Sequence, residues 1–352
     1  MGSKMVKAVL WVTACLLSVG CAGAQVTQYN VGVWYPAAAD IVYAMHKGVF
    51  ESYLNQAVGT SLNVRFKVIV VDMDEDTLAE KLIDENKLDF FFSMVGRIVC
   101  VQRAFDWILL ATARNRGLGT EVGAHSTLMY SLKSNTAIKN VEDVKGKRIG
   151  VTHIDSSSYY LAKEILADHG VDMFRDPSQI VFYGGGFEDQ LSHVLTENID
   201  VGFTNGIYLF LKFPQQIPNL VFHNLLNATY ESAKYPLPTS APLTPAFTLA
   251  CSQQIPFTVK KAVLTALMNL DPASPQALIS SLSNFTPAAS LFDVRASMEH
   301  ANLFDPHGRC YSPFEDPAEI MVCPRGFVLD TAKGLERRCE FNRLTCPAGY
   351  PC

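Results

Sequence analysis

Apolar and polar positions along this chain switch repeatedly between a period of two and a helical period. Residues 29–34 form a short apolar run and read as a strand. Over 37–57 the apolar residues Val42, Met45, Val49, Phe50 and Leu54 recur at helical spacing on one side. Residues 62–71 alternate as a strand. Residues 74–85 read as a helix, with Asp74 and Asp76 near its positive N-terminal end. A buried-type strand over 88–93, a helix over 98–105 and a strand over 107–113 follow. The rhythm then repeats: strand 126–132, helical turn 141–144, strand 148–151 and helix 156–169, stopped by Gly170. Next come strand 180–183, the turn Gly184-Gly185-Gly186, helix 187–197 and strand 199–204. Two successive α/β units predict two mainly parallel sheets flanked by helices, in two lobes with a cleft between them. Residues 235–245, rich in Pro, Ser and Thr, read as a connector, and 246–251 as a strand returning to the first lobe. Residues 257–270 form an amphipathic helix. From 305 onward Pro, Gly and Cys take over and a small tail begins.

Composition narrows the class. The 352 residues are 49% apolar and 18% charged, enough to bury real cores and too apolar for a disordered chain. A formal net charge of −5 argues against a nucleic-acid partner, which needs a basic face. It leaves room for a small anion, which a few backbone N–H groups and one Arg can hold. Residues 1–24 read as a signal peptide. Lys4 and Lys7 precede an apolar run over 8–19, shorter than the ~20 residues of a membrane span, and Ala22-Gly23-Ala24 offers a cleavage site before Gln25. An uncleaved anchor is the alternative. The expected location is secreted or on the extracellular face of a membrane, which in a bacterium means the periplasm.

Cysteine usage agrees with export. Setting Cys15 and Cys21 of the signal aside leaves seven of the nine, five of them in the tail. Cys310, Cys323, Cys339, Cys346 and Cys352, with Cys100 and Cys251, are the disulfide candidates, and no pairing among them is favoured. The gaps do not match paired C-x-x-C zinc spacing, and no metal or other cofactor is expected. An odd number leaves at least one thiol free or paired outside the chain. Two sequons, at Asn227 and Asn284, carry meaning as glycosylation sites only in a eukaryotic host.

Three segments could bind a ligand. Asp155-Ser156-Ser157-Ser158-Tyr159-Tyr160 follows a strand and opens a helix, where hydroxyls cap and free N–H groups attract anions; capping alone is the plainer reading. Tyr183-Gly184-Gly185-Gly186-Phe187-Glu188-Asp189 lets backbone approach a ligand, or is simply a tight turn. Ser93-Met94-Val95-Gly96-Arg97 lies at a strand's C-terminal end, where Arg97 could meet an anion or lie solvated at the surface. The eight histidines show no paired ligand spacing, and neither a nucleophile elbow nor a phosphate loop is present, so no enzyme is expected.

Taken together, these segments resemble the phosphate, phosphite and phosphonate-binding proteins of ABC transporters, of the type II periplasmic-binding fold. They are most similar to the branch used as sensor domains of bacterial signalling kinases. The matching stretches are 29–36, 66–74, 87–93, 141–151, the triple Ser, 184–189, 198–202 and Phe285-Thr286-Pro287, covering roughly 28–304. The resemblance implies a clamp whose first lobe is 28–124 with 245–304 and whose second is 125–244, joined by two crossing segments, with the cysteine-rich tail 305–352 outside it. The family's anion-binding Ser-Thr-Ser matches Ser156, Ser157 and Ser158, and its cleft acid matches Asp189. A second family acid, used for the amino group of aminophosphonates, falls at Asn205, and a family aromatic falls at Ile98. Both departures weigh against an aminophosphonate, and Arg97 suits a more anionic ligand. Tyr35 and Tyr159 are lids by position. The tail's Cys-Pro-Arg-Gly-Phe and Cys-Pro-Ala-Gly-Tyr are similar to cysteine-rich repeats of eukaryotic receptor ectodomains. The expected function is extracytoplasmic sensing of a small anion by clamp closure, as the ectodomain of a receptor with a downstream membrane or signalling domain in the same or a partner chain. A transporter's binding component is the alternative, and an enzyme like the thiamine-pyrimidine synthases of this fold is the third reading.

Overall fold

The computed structural model describes residues 26–34, 39–71, 79–117, 120–152, 156–183, 186–304, 308, 310, 327–330 and 339–341. In chain order the first elements are β1 (Thr27–Val33), α1 (Ala39–Lys47), β2 (Val64–Val70), α2 (Ala79–Asp84), β3 (Phe90–Ser93), α3 (Val95–Phe105), β4 (Ile108–Gly117) and β5 (Thr120–Val122). The middle of the chain holds β6 (Ala124–His125), β7 (Thr127–Leu132), β8 (Arg148–Val151), α4 (Ser157–Asp168), β9 (Gln179–Phe182), α5 (Phe187–Leu195), β10 (Val201–Asn205), α6 (Gly206–Lys212) and β11 (Leu220–His223). After the hairpin β12 (Thr229–Tyr230) and β13 (Ala233–Lys234) come β14 (Thr244–Pro245), β15 (Thr248–Cys251), α7 (Phe257–Met268), α8 (Pro275–Ile279), β16 (Leu282–Pro287), α9 (Phe292–His300), β17 (Phe327–Asp330) and β18 (Cys339–Phe341).

Two seven-stranded sheets result. The first runs β16-β4-β15-β3-β1-β2, with β5 beside β4; the second runs β11-β7-β10-β8-β9-β17-β18. The expectation of mainly parallel sheets needs correcting, because each is mixed. A parallel trio, β2-β1-β3 or β10-β8-β9, is flanked by antiparallel neighbours. The antiparallel strands β7 and β15 are those that directly follow a crossing between the sheets. A crossing segment needs no crossover helix, so the incoming strand is free to run against its neighbour.

Burial follows from this order. Phe90, Phe91 and Phe92 are consecutive and all buried, because β3 lies inside a sheet covered on both faces. Phe90 packs against Tyr29 and Phe66, and Phe92 against Phe50, Phe247 and Phe285. The helix expected over 37–57 begins at Ala39 and continues through π-helical turns Gly48–Tyr53 and Asn55–Gly59 to a last turn, Thr60–Leu62. Its buried stripe is Val42, His46, Val49, Phe50 and Leu54. His46 occupies the stripe position after Val42, beside the rings of Phe50 and Phe92, while Met45 is only half-buried.

The sheets are joined by a short ribbon. Thr244 pairs with His125 and Pro245 with Ala124, antiparallel, and Ala246 N–H donates to Gly123 O at 2.8 Å. Both crossings between the sheets pass through this ribbon. His125 is buried there, 2.7 Å from Asn115 Nδ2, with its ring edge-on to Phe247.

The tail is tied down at two described points. Cys100 of α3 is bonded to Cys310, with Cα atoms 5.3 Å apart and 210 residues of chain between them. Strand β17 pairs antiparallel with β9 at the edge of the second sheet, and β18 pairs antiparallel with β17. Cys251, expected among the pairing candidates, is instead free and buried in β15, a central strand; burial pushes its thiol up to about 11. It accounts for the odd cysteine. Four remain, an even set that allows three pairings. Cys339 lies on β18, while Cys323, Cys346 and Cys352, like the signal segment 1–24, lie outside the described residues. Of the two sequons, Asn227 is exposed, whereas the Asn284 side-chain oxygen is buried in β16. No helix among the described residues is long and apolar enough to cross a membrane.

Two predictions follow from the packing. Burial pushes both His46 and His125 down to about 4 from 6.5. A histidine held neutral contributes fully above its unfolded pKa, and that contribution is lost as pH falls from about 6.5 toward 4. Urea midpoints should therefore be level above pH 7 and drop steeply between pH 6 and 4.5, with a shallower drop in His125→Gln. Replacing Cys100 and Cys310 together by Ser should cost about 2–5 kcal/mol in denaturant unfolding, because the bond closes a long loop in the unfolded chain.

Candidate functional site

Parallel strands carry their following helices at one edge of a sheet, and in open α/β folds ligands collect at the C-terminal ends of those strands. Both sheets present hydroxyls there. In the first, β3 ends on Ser93, which stands opposite Thr248 of β15; Thr248 stands opposite Thr112 of β4, and Thr112 opposite Thr286 of β16. Four hydroxyls thus cross four neighbouring strands in register. Thr112 and Thr248 touch through their Oγ1 atoms at 3.4 Å, and Thr112 Oγ1 accepts from Ala289 N–H at 2.9 Å. Ser93 Oγ is buried and has no hydrogen-bond partner among the described residues.

The helix that leaves this edge, α3, carries Arg97 in its first turn. Arg97 is only 3% exposed and its guanidinium lies 5.6 Å from the centre of the Trp34 ring, at the end of β1. Of the two sequence readings for Arg97, the solvated one is removed by this burial. Ile98, where the resemblance implied an aromatic, is fully buried.

In the second sheet, β8 runs into Thr152, whose Oγ1 is buried without a partner among the described residues, and α4 is the next helix in the chain. Ser156 is the helix N-cap: its Oγ accepts from Ser158 N–H at 3.2 Å, and its carbonyl accepts from Tyr159 and Tyr160. Ser157 is buried, and the Ser158 hydroxyl and the Tyr159 phenol are buried with no partner among the described residues. Burial holds the Tyr159 phenol well above the usual tyrosine range, so it stays a donor. Tyr159, expected as a lid, is part of the packed first turn.

Two further polar residues join this edge. Thr127 opens β7 directly opposite Asn205, the last residue of β10, and its hydroxyl is buried without a partner among the described residues. Asn205 is the N-cap of α6, its Oδ1 accepting from Tyr208 N–H at 3.3 Å. Asp189 is half-buried in the first turn of α5; burial raises the pKa of Tyr183 and lowers that of His193, the Asp189 charge adds to the first shift and opposes the second, and the two side chains lie 2.5 Å apart. Tyr35, Asp155, Gly184 and Gly185 lie outside the described residues.

The structure therefore gathers Ser156, Ser157, Ser158, Tyr159 and Asn205 at one sheet edge, and Ser93 and Arg97 at the other. Sequence reasoning missed Thr112, Thr127, Thr152 and Thr248. Their signal was available in part: Thr152 is a hydroxyl residue directly after an apolar run, as Ser93 is. A buried hydroxyl left unpaired costs about 1–3 kcal/mol, so natural cores rarely keep one without a purpose. Several at the same strand ends, with the positive end of a twelve-residue helix among them, form a donor-rich surface suited to oxyanions. No cluster of His, Cys, Asp or Glu that could hold a metal is present among the described residues.

Two mixed sheets, each with a parallel trio, joined by a two-stranded ribbon define the two-lobed type II periplasmic-binding fold. A family model described as "ABC transporter, phosphonate, periplasmic substrate-binding protein" matches residues 48–293, and the chain belongs to that family. Its members are substrate-binding proteins of the periplasm, and the chain shares their extracytoplasmic location. Among solved structures, XAC2383 from Xanthomonas citri bound to ATP is similar at 12% identity and TM-score 0.59, over 78% of this chain and 98% of that one. The binding protein component of an ABC phosphonate transporter from Pseudomonas aeruginosa is similar at 15% identity and TM-score 0.55, over 81% and 92%. A TctC solute-binding protein from Polaromonas reaches 0.52 at 11% identity, over 79% and 97%. At these identities the likeness establishes the fold. None of the curated proteins matches the chain.

An orphaned hydroxyl that serves a ligand has a stability signature. Thr152→Val keeps the shape and removes the unpaired group, so the unliganded protein should unfold at the same midpoint or a higher one, by up to about 1 kcal/mol, in thermal or urea denaturation.

Proposed function

We propose that the chain is a non-enzymatic clamp that closes its lobes, 28–124 with 245–304 and 125–244, on a small oxyanion of the phosphate or phosphonate class. The observation that carries this reading is the first turn of α4, where the buried, unpartnered Ser158 hydroxyl and the Tyr159 phenol accompany the helix N-terminus next to the unpartnered Thr152. Ser157 and Ser158 donate to the anion, Ser156 shapes the turn as its cap, and Arg97 and Ser93 complete the site from the first sheet. The ribbon β6–β14 is the hinge. A ligand that touches both lobes shifts the population toward the closed form by its differential affinity for that form.

The output of closure is a signal, with the chain acting as the ligand-sensing part of a receptor. The anchored tail supports this over service to a transporter alone, since a freely diffusing binding component has no evident use for a cysteine-clipped extension. The sensor-kinase likeness, the downstream signalling domain and glycosylation at Asn227 belong to this reading.

The test is thermal unfolding of residues 25–352 against phosphate, phosphite, methylphosphonate, 2-aminoethylphosphonate, methanesulfonate, small carboxylates and ATP. A ligand at 100 times its Kd adds about 2.7 kcal/mol. At least one oxyanion should raise the midpoint, and Ser157→Ala with Ser158→Ala should remove that rise while Ser156 keeps the cap. A response confined to amino acids or organic cations would leave the clamp and discard the anion.

A further inference from the structure

The two helices that leave the candidate site, α3 after Ser93 and α4 after Thr152, belong to different sheets, and α9 packs against both. α9 and the chain after it meet α3 at three points. Arg103 Nη1 meets Glu299 Oε1 at 2.7 Å, the Arg103 guanidinium lies 4.1 Å over the Phe304 ring, and Cys100 is bonded to Cys310, which bridges back to Phe304. Its join to α4 is polar and single among the hydrogen bonds described: Lys163 Nζ donates to the carbonyl of Ala301 at 2.5 Å. Ala301 is the C-cap of α9, so the ammonium sits at the negative end of that helix on an otherwise orphaned carbonyl.

Lys163 is a costly way to fill this place. Its ammonium lies 5.5 Å from the Phe174 ring, and burial lowers its pKa while the nearby Asp172 carboxylate opposes that shift. An apolar residue would give the packing without burying a charge. What Lys adds is a directional, charge-assisted bond between elements of two lobes. Ser158 and Lys163 lie on the same helix, about one and a half turns apart, so a movement of the ligand-binding turn is also a movement of this bond.

We propose that the Lys163–Ala301 contact is a latch that holds the lobes closed, with α9 clamped to the first lobe by the Cys100–Cys310 bond, so that Lys163 sets the open–closed equilibrium and through it the affinity for ligand. This rests on the clamp reading but not on the identity of the anion. A lysine that merely fastens α9 to a lobe it never leaves would affect stability and nothing else.

The experiment compares wild type, Lys163→Met, Lys163→Gln and Lys163→Arg without ligand, by small-angle scattering and by hydrogen exchange of the backbone amides. Met and Gln keep the aliphatic stem and remove the cation; Arg restores it. Losing a charged hydrogen bond should raise the open population about tenfold or more. The expected result is a larger radius of gyration and faster exchange at Ser157, Ser158 and Ile98 in the Met and Gln variants. The amides of β8 and β1 should stay protected, and Arg should recover the wild-type values. Cys100→Ser with Cys310→Ser should open the cleft in the same way, and adding Lys163→Met to it should open it little further. Unchanged dimensions and exchange in both Met and Gln variants overturn the latch, whether or not stability falls. Calorimetric binding of methylphosphonate should weaken about tenfold in Lys163→Met. If methylphosphonate fails to bind wild type, that counts against the oxyanion reading, and scattering and exchange still decide the latch.

Discussion

The parallel trios β2-β1-β3 and β10-β8-β9 are the constraint on which the rest depends. Parallel neighbours can be joined only by a crossover, so each trio sends its following helices away from the same edge. That places the N-termini of α3 and α4, the end of β10 and the residues after β8 at two edges that the ribbon β6–β14 connects. The donors gathered there come from positions more than a hundred residues apart, from Ser93 to Asn205. No local motif could have assembled them; strand direction does.

In the clamp reading, buried hydroxyls without a partner among the described residues bear on closure. Opening would return water to Ser93, Thr127, Thr152 and Ser158, each of which costs about 1–3 kcal/mol while dry and unpaired. Under that reading, closure without ligand needs an opposing interaction outside the cleft, and the proposed latch from Lys163 to the end of α9 is of that kind. A ligand removes the penalty by supplying acceptors, so binding and closure become the same event. A clamp built only of apolar contacts would close empty; one with no latch would lose affinity to the cost of closing.

Much of the fold was legible because it depends on periodicity. Most strands and helices read over 28–204 and 246–270 lie within a few residues of where apolar spacing puts them, and the Ser156 cap was readable from a hydroxyl run after a strand, whereas α6, β11, α8, β16 and α9 were not read from spacing. What was not legible depends on contacts distant in sequence. His46 breaks an apolar stripe by its polarity but completes it by position, since its ring packs like an aromatic between Phe50 and Phe92. The row Ser93–Thr248–Thr112–Thr286 exists only through strand register. Cys100 and Cys251 look equivalent in sequence, yet one faces the returning tail from a helix and the other is enclosed in a central strand. Sheet polarity was misjudged because alternation of strand and helix implies parallel pairing only where no crossing between lobes intervenes.

The chemistry of the cleft is more one-sided than its family resemblance suggests. A ligand carrying an amino group needs acceptors, and the position where the family places an acid for it is Asn205. That residue is a neutral amide whose Oδ1 already accepts from the backbone N–H of Tyr208, so it brings no negative charge and a weakened acceptor, together with the NH₂ of its amide. The remaining acid, Asp189, acts on Tyr183 and His193, whose side chains are bonded to each other. Against these stand the hydroxyls of Ser93, Thr152 and Ser158, the Tyr159 phenol and the buried Arg97, all able to donate. Under the proposed reading, these described residues favour a bare oxyanion over a ligand that carries an ammonium group. By the same desolvation that makes an unpaired buried charge expensive, the proposed site would then disfavour a zwitterion.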